Sequence, residues 1–388
     1  MPSRARHQAE ELLARCAALA PALENRAAEA ERLRRLPDET IADAAAAGVF
    51  SMLVPAAHGG AGLGLFAVAQ VARTLAHGCV SSAWTLSFFA LHNWLLGKFD
   101  PALVRELFAA RPWVLVPAPL APTGRLTAVE GGHRVSGRWE WATGVMHAEW
   151  VMVHALGTVD GSPTAFCVVP AREVRIEDVW FTSGMCATGS NAVVLDDVFV
   201  PAHRTLGGFR LMAPAKGAVR DFAEYPIVPV LAFVASAPAL GAAERAVDLF
   251  RERVRHRVLA YTLGERQLDQ PAAQIRLSAA LATVRAARAT WEAGMHAFTS
   301  AIESGGVRPL DLAGARLAAA HTVRLAREAI ATVCDGSGAS VYFDAAPLQR
   351  LQRDVEVLKG HVVFDWDRTA ELVGRIELGF DPRPSDML

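Results

Sequence analysis

The chain has 388 residues, of which 52% are hydrophobic and 20% are charged, and its formal net charge is −1 at pH 7. This balance is typical of a folded globular protein with a large core and excludes a disordered chain. Because a near-neutral chain has no basic field to attract phosphates, we expect neither a nucleic acid nor a membrane surface as a partner.

The first third of the chain has a helical pattern, from residue 6 to about 112. A second, short helix in it is predicted to have Asp38 as its N-cap and Gly48 as its left-handed stop. The glycine-rich stretch HGGAGLG (58–64) follows a helix rather than a strand, so it predicts a turn and not a dinucleotide-binding loop. The pattern predicts an N-terminal helical domain over residues 1–112. Apolar residues recur on one face of its first helix, at Leu12, Cys16, Leu19 and Leu23.

The period of the hydrophobic pattern changes to two between roughly residues 113 and 205. The stretch RLTAVEGGHRVSGRWEWATG predicts a strand, a tight turn at Gly131-Gly132 and a second strand, and further short strands follow with turn signals between them. We predict a compact antiparallel β domain over residues 113–215.

Helical periodicity returns from about residue 220. Four long helices with short connections predict a bundle, and we assign it to residues 216–388. The helices are expected near 226–256, 271–304, 309–333 and 347–373.

Several features indicate a cytoplasmic protein. The longest apolar stretch, PIVPVLAFVASAPALG, is interrupted by Pro229 and Pro238 and is shorter than the roughly 20 residues of a membrane-spanning helix, so we expect a buried helix. The N-terminus lacks the apolar core of a secretion signal. The five cysteines are scattered singly, which fits a reducing compartment.

The stretch LKGHVVFDWD (358–367) concentrates polar residues that could carry chemistry. On a helix, His361 and Asp365 would share one face at i, i+4. This spacing is required by a metal pair and by a base oriented by a carboxylate, but it also occurs in a helix whose histidine has no chemical role. With Asp367 they could form part of a metal site, but no second cluster of matching spacing occurs, so we expect no bound metal.

Two further stretches are unusual. In GRWEWATGVMHAEW (137–150), Trp139 and Trp141 alternate in a predicted strand that ends at Thr143. They could be ordinary strand packing or a flat aromatic wall, with a hydroxyl at its edge, for a planar cofactor ring. In FALHNW, His92 and Asn93 lie inside an otherwise apolar helix, where a polar pair must be hydrogen-bonded and is either structural or a substrate contact.

Together these pieces resemble the acyl-CoA dehydrogenase superfamily, and within it the two-component flavin-dependent monooxygenases that hydroxylate aromatic compounds. The resemblance spans essentially the whole chain. It implies a mainly α fold with a central β domain: an N-terminal helical domain, an antiparallel β-barrel-like middle domain and a C-terminal four-helix bundle, assembled as a homotetramer. Four stretches in order carry the resemblance: SSAWTLSFFALHNW (81–94), GRWEWATGVMHAEW (137–150), SGMCATGSNAVVLDDVFVPAHR (183–204) and CDGSGASVYFDAAPLQRLQRDV leading into GHVVFDWD (334–367).

The function that this resemblance implies is hydroxylation of a small phenolic or indolic molecule by reduced flavin (FMN or FAD) and O2, through a flavin hydroperoxide. No nicotinamide-binding motif occurs, so a separate NAD(P)H:flavin reductase is expected as a partner. One alternative is an acyl-CoA dehydrogenase-like flavoenzyme, which needs a carboxylate base. The usual Glu-Gly-Thr motif is absent from RDVEVLKGHVVFDWD, although Glu244 or Glu252 could supply a base. The other alternative is an N- or S-oxygenase of the same superfamily.

The resemblance also implies roles for single residues. His361 would be the substrate base or hydrogen-bond partner, with Asp365 as a candidate for orienting it. His92 and Asn93 would line the same pocket. Thr143 would lie beside the flavin N5 atom and steady the hydroperoxide. Further flavin contacts are implied at Trp141, Ser183, Ser190, Asn191 and Arg257.

Arg257 lies where relatives hold a flavin phosphate, and the DGSG turn (335–338) would add backbone donors. Two departures from the family pattern concern the substrate. Cys186 and Ala187 replace part of a GMRGTGS stretch that often carries arginine, and Ala118 stands where some phenol hydroxylases have a substrate-binding serine. Both departures argue against a simple phenolic acid as the substrate. A substrate with a larger or more apolar ring is expected at least as much.

Overall fold

The structure is a computed structural model that describes residues 3–212, 217–219, 221–383 and 386, without the side chains of residues 3 and 4. Helices at both ends of the chain enclose a central sheet. The domain boundary predicted at 215/216 lies outside the described residues. The N-terminal helices are α1 (Ser3–Leu33), α2 (Asp38–Ala47), α3 (Leu65–Leu75), α4 (Val80–Leu96) and α5 (Pro101–Leu107).

The N-terminal helices follow the local signals of the sequence closely. Gly48 ends α2 with a φ of 89°, a left-handed conformation that glycine adopts without steric cost, as predicted. The start of α2 differs from the prediction by one residue, because Pro37 is the N-cap and Asp38 is the first helical residue. The predicted apolar stripe of α1 is buried in the core. Every residue of α4 is buried, so its polar side chains must find partners inside the protein.

The central sheet has seven strands in the order β5-β6-β2-β1-β3-β4-β7. All neighbouring strands are antiparallel except β1 and β3, which are parallel. The hairpin turn between β1 and β2 lies at 130–131, one residue before the predicted Gly131-Gly132. The strands are β1 (Gly124–Val129), β2 (Gly132–Ala142), β3 (Trp150–Val159), β4 (Ser162–Pro170), β5 (Arg175–Glu177), β6 (Asn191–Pro201) and β7 (Thr205–Gly207).

The central β domain with mostly antiparallel strands is confirmed, but its barrel-like closure was predicted wrongly, because the sheet is open. The strands at its two edges, β5 and β7, are only three residues long, and within the described residues they do not pair with each other. Short strands leave few backbone groups unpaired, which is one way in which proteins protect sheet edges without closing a barrel.

The C-terminal helices pack around α9, which contacts the four other long or medium helices of this part of the chain. The helix α7 is apolar and long enough to cross a membrane by length and composition alone. Its apolar window is completely buried inside the protein, as predicted for a core helix. The helices are α6 (Gly208–Met212), α7 (Ile227–His256), α8 (Pro271–Ser304), α9 (Pro309–Asp335), α10 (Pro347–Leu358) and α11 (Trp366–Glu377).

The single helix predicted over 347–373 is wrong, because it is broken into α10 and α11. The chain leaves α10 after Leu358, passes Gly360, and takes an extended backbone at His361, where ψ is 135°. Glycine disfavours a helix interior, which is consistent with the break at this point. His361 and Asp365 therefore do not share a helix face.

Candidate active site

The helix α4 carries His92 into a buried apolar environment. Nδ1 of His92 lies 2.6 Å from the carbonyl oxygen of Val116. Because a carbonyl can only accept, Nδ1 carries the proton, and Nε2 is left as an acceptor. Burial lowers the pKa of His92 to about 4, so the ring is neutral at neutral pH. A small cavity at this histidine is lined by Leu91, Trp94, Leu95, Leu120, Ile227 and Leu231.

Of the two roles considered for the polar pair His92 and Asn93, a structural one and a substrate contact, Asn93 has the structural one. Its side-chain NH2 donates to the carbonyl oxygens of Phe89 and Val114, at 2.8 and 3.0 Å. Its side-chain oxygen accepts from the N–H of Val114 at 2.9 Å. With both N–H groups and the oxygen engaged, Asn93 fixes the segment that follows α5 and offers no donor to a substrate.

His361 contacts the same aromatic ring as His92, that of Phe88. The Phe88 ring is 5.7 Å from the His92 ring and 6.4 Å from the His361 ring, nearly perpendicular to both. Nδ1 of His361 accepts from the N–H of Val363 at 3.3 Å, so the proton of the neutral ring belongs on Nε2. Burial lowers the pKa of His361 to about 4. The two histidines therefore have opposite tautomers: His92 presents an acceptor and His361 a donor.

Asp365 does not orient His361, in contrast to the hypothesis from the sequence. Its carboxylate accepts from the N–H of Arg368 at 3.1 Å and caps α11. Within the described residues no hydrogen bond joins Asp365 to His361. Because the chain is not a continuous helix between α10 and α11, the i, i+4 spacing does not place the side chains of His361 and Asp365 together.

The turn after β2 carries Thr143, and it packs directly on α4. Gly144 has a φ of 76°, and a Cβ atom there would lie 2.6 Å from the Phe89 ring. Only glycine therefore fits this close approach. The N–H of Gly144 donates to the carbonyl oxygen of Thr188 at 2.8 Å, which joins this turn to the turn before β6.

Trp139 and Trp141 do not form one aromatic wall. Trp139 is fully buried in the sheet, and its indole N–H donates to the carbonyl oxygen of His154 at 2.6 Å. Trp141 is 63% exposed and has a φ of 63°. A register shift between Trp139 and Ala142 in the pairing of β2 with β6 breaks the alternation that the sequence suggested.

The surface beside this turn exposes one large aromatic ring, that of Trp141. The Trp141 ring is exposed, whereas Trp139 is buried and Trp150 is half-buried, and Thr143 follows Trp141 two positions later in the sequence. Ser183 is exposed on the neighbouring loop. Asn191 is buried and uses its side-chain oxygen to accept from two consecutive backbone N–H groups, at 179 and 180, each at 3.0 Å. Asn191 thus supports the neighbouring loop from inside.

Ser190 lies behind Thr143 rather than at the surface. Its hydroxyl is 3.0 Å from that of Thr143 and 2.8 Å from that of Thr188. The hydroxyl of Thr188 in turn donates to the carbonyl oxygen of Met185 at 2.8 Å. Sequence reasoning missed Thr188, because nothing in the TGS triplet shows that Thr188 bonds to Ser190 while Ser190 bonds to the distant Thr143.

Arg257 lies against the DGSG turn (335–338). The guanidinium groups of Arg257 and Arg253 both donate to the carbonyl oxygen of Ser337. Burial and the charge of Arg257 lower the pKa of Arg253. Neither arginine forms an ion pair with a carboxylate of the described residues, and Gly338, with a φ of 72°, leaves space for Arg257. This pair of cations fits an anion such as a phosphate.

The segment that carries Ala118 is held by two histidines. Ala118 is half-buried between Val116, which accepts from His92, and Leu120, whose carbonyl oxygen accepts from Nδ1 of His154 at 2.8 Å. His154 stacks on a phenylalanine of β4, and burial lowers its pKa. Sequence reasoning missed His154, because a single histidine in a strand does not by itself indicate a functional site.

The structure removes two candidate bases for dehydrogenation. Glu244 is buried and bonded to Arg73 at 2.9 Å, His77 at 3.0 Å and Arg288. Burial alone would raise the pKa of Glu244, but these partners lower it to about 2. Glu252 is exposed and pairs with Arg245. Neither carboxylate is a free acceptor beside the two histidines.

Comparison with known proteins shows which families this chain is similar to. Two family models match the chain, "Acyl-CoA dehydrogenase, N-terminal domain" over residues 8–99 and "Acyl-CoA dehydrogenase, C-terminal domain" over residues 233–366. The chain is 35% identical to a pigment production hydroxylase of Rhodococcus sp., covering 95% of this chain and 96% of the relative. It is 32% identical to the flavin-dependent monooxygenase oxygenase subunit HsaA of Mycobacterium tuberculosis, covering 98% and 99%. The solved structure of XiaF from Streptomyces sp., in complex with FADH2 and glycerol, has a TM-score of 0.92 at 27% identity and covers 100% of this chain and 99% of that one.

Proposed function

The chain belongs to the flavin-dependent monooxygenase oxygenase components of the acyl-CoA dehydrogenase superfamily, and on this premise we propose that it hydroxylates a small phenolic or indolic molecule. Bound reduced flavin, FMN or FAD, supplies the electrons with which one atom of O2 is transferred to the ring. A separate flavin reductase delivers the reduced flavin, as expected for an oxygenase component.

One observation supports this function above the others: two neutral histidines of opposite tautomer both contact the ring of Phe88. In our proposal His92 accepts a hydrogen bond from the OH or NH of the substrate through Nε2, which increases the electron density of the ring. His361 donates through Nε2–H, so it takes the complementary role rather than that of the substrate base. Leu120 and Leu231 line the small cavity at His92, and in our proposal they supply apolar contacts to the ring.

The cofactor is proposed to lie along the uncovered face of Trp141, with Thr143 at its reacting edge. Arg253 and Arg257 would hold its phosphate, because they are two cations without a carboxylate partner among the described residues. We also propose a homotetramer, for which the exposed Tyr261 of the loop after α7 provides apolar surface. Sedimentation velocity of the purified protein tests the assembly, and a monomer at micromolar concentration would contradict it.

The two alternatives have different support. Acyl-CoA dehydrogenation lacks a free base, since Glu244 is held by three cationic side chains. An N- or S-oxygenase would need no acceptor for a ring OH or NH. It would therefore keep its activity when His92 is replaced, whereas the proposed hydroxylase would not.

The test supplies reduced flavin from a flavin reductase and isotopically labelled O2, and offers indole, a naphthol and a phenolic acid. Labelled hydroxylated product from at least one aromatic is expected. His92→Leu should abolish product while H2O2 continues to form, and His7→Gln, at an exposed histidine of α1, is the matched control. Release of H2O2 alone with every aromatic offered would contradict the proposed function.

A further inference from the structure

Three buried hydroxyls form a continuous chain behind the proposed cofactor face. Thr143, Ser190 and Thr188 are 8%, 4% and 1% exposed. Their oxygens are separated by 3.0 Å and 2.8 Å, and Thr188 donates to the carbonyl oxygen of Met185 at 2.8 Å. We call these three hydroxyls the hydroxyl relay. It joins the end of β2 to the turn before β6.

The proton count of the hydroxyl relay sets its direction. Each hydroxyl has one proton to donate, and the Met185 carbonyl can only accept. When Thr188 donates to Met185, Ser190 must donate to Thr188, and Thr143 must donate to Ser190. Three protons then make three hydrogen bonds, and Thr143 has only lone pairs left for whatever lies at the surface.

The acceptor end of the relay is firmly placed. The carbonyl oxygen of Met185 also accepts from the indole N–H of Trp180 at 3.0 Å and from the N–H of Thr188 at 3.1 Å. The N–H of Met185 donates to Asp354 at 2.6 Å. These bonds hold the peptide that ends the relay, so a reversal of the relay costs the Thr188–Met185 hydrogen bond without moving the backbone.

This direction discriminates between two redox states of a flavin, an inference that rests on the proposed function. The N5 atom of a reduced flavin carries a hydrogen, whereas N5 of an oxidised flavin has only a lone pair. A donor at Thr143 adds a fourth hydrogen bond to the three of the relay. If the flavin atom at Thr143 is an acceptor, Thr143 must donate to it, and all three hydroxyls reverse. The Thr188–Met185 bond is then lost, so the total stays at three hydrogen bonds.

We propose that the hydroxyl relay makes the site select reduced over oxidised flavin, with Ser190 and Thr188 as positioning residues that act through Thr143. One net hydrogen bond in a protein changes an equilibrium by about threefold to tenfold. That factor is the expected contribution of the relay to the ratio of the two dissociation constants.

The experiment measures the dissociation constants of reduced FMN and FAD under anaerobic conditions and of the oxidised forms in air, by quenching of protein fluorescence. Ser190→Ala and Thr188→Val each break the relay and let Thr143 donate outward. Each should therefore lower the ratio of oxidised to reduced dissociation constants by about threefold to tenfold. Thr188→Ser restores the relay and should restore the ratio. Thr322→Val, which removes a buried hydroxyl bonded within α9, is the matched control and should leave the ratio unchanged.

An unchanged ratio in Ser190→Ala and Thr188→Val, with native circular dichroism, would overturn the relay while leaving the proposed function intact. If Ser190→Ala does not fold, the comparison of Thr188→Val with Thr188→Ser decides the question. Failure of the unaltered protein to bind reduced flavin at all would overturn the proposed function, and the relay inference with it.

Discussion

The buried carboxylate of Glu244 should contribute strongly to stability. It joins three helical segments, because Arg73 comes from α3, His77 follows α3, and Arg288 comes from α8, while Glu244 itself lies on α7. Its side chain is only 6% exposed, so solvent screens these bonds little. The difference between its pKa of about 2 and the ordinary 4.5 corresponds to roughly 3 kcal/mol.

We therefore expect Glu244→Gln to lower the free energy of unfolding by about 3 kcal/mol at pH 7. An unfolding entropy of about 2.1 cal/mol/K per residue, applied to a chain of 388 residues, converts this into a fall in Tm of roughly 4 °C. Differential scanning calorimetry measures it. Glu252→Gln, on the same helix but exposed and paired only with Arg245, is the matched control and should change Tm by about 1 °C or less.

The pH dependence has a defined sign. Because the pKa of Glu244 is lowered on folding, its contribution is complete above pH 4.5 and is lost as the pH falls through about 2. The Tm difference between the unaltered protein and Glu244→Gln should thus shrink below pH 4.5. A Glu244→Gln protein as stable as the Glu252→Gln control at pH 7 would refute the reasoning.

Three further predictions concern the site itself. His92 and His361 are both held neutral with pKa values of about 4, so the free energy of unfolding should rise with pH from 4 to 6.5. His92→Leu should make this rise less steep, as measured by urea unfolding. An equally steep rise in the variant would contradict the prediction. Asp354→Ala leaves the buried N–H of Met185 without its acceptor and should lower the free energy of unfolding by about 1–3 kcal/mol. Asp354→Asn keeps an acceptor and should lower it less. Equal chemical denaturation midpoints for the two variants would argue against this bond. Gly144→Ala puts a methyl group against Phe89 at positive φ and should cost more than about 2 kcal/mol, measured by thermal unfolding; a variant of unaltered Tm would show that the turn can move away from α4.

Local signals in the sequence predicted the helices well because each depends on neighbouring residues. Asp100 accepts from the N–H of Ala102 at the start of α5, with Pro101 in the first helical position, as expected from the residue types alone. The stripe of α1 and the burial of α7 followed equally from periodicity. The prediction that His361 lies on a helix failed because a 12-residue helix, α10, ends three residues before it, and the weight of Gly360 as a breaking signal was missed.

Contacts between distant strands could not be predicted from the sequence. The hydroxyls of Thr143 and Ser190 are 47 positions apart, and a bulge in β2 decides that Trp141 points outward while Trp139 is buried. The tautomers of the two site histidines depend on which backbone group each ring meets. For His92 this is Val116, 24 residues away. The resemblance to a family supplied the candidate residues of the site, whereas the hydrogen bonds that they form depend on contacts between distant parts of the chain.

The two halves of the proposed site are coupled through α10. Asp354 on this helix bonds the N–H of Met185, whose carbonyl ends the hydroxyl relay, and a Cβ atom at Gly184 would lie 2.2 Å from the carbonyl oxygen of Arg353. The same helix ends at Leu358, so its C-terminal end sets the position of His361. A shift of α10 along its axis would therefore move the cofactor-side relay and the substrate-side donor together. Because packed elements move as rigid units more readily than they deform, we expect the distance between flavin edge and substrate ring to be set by the docking of this one helix on the turn before β6.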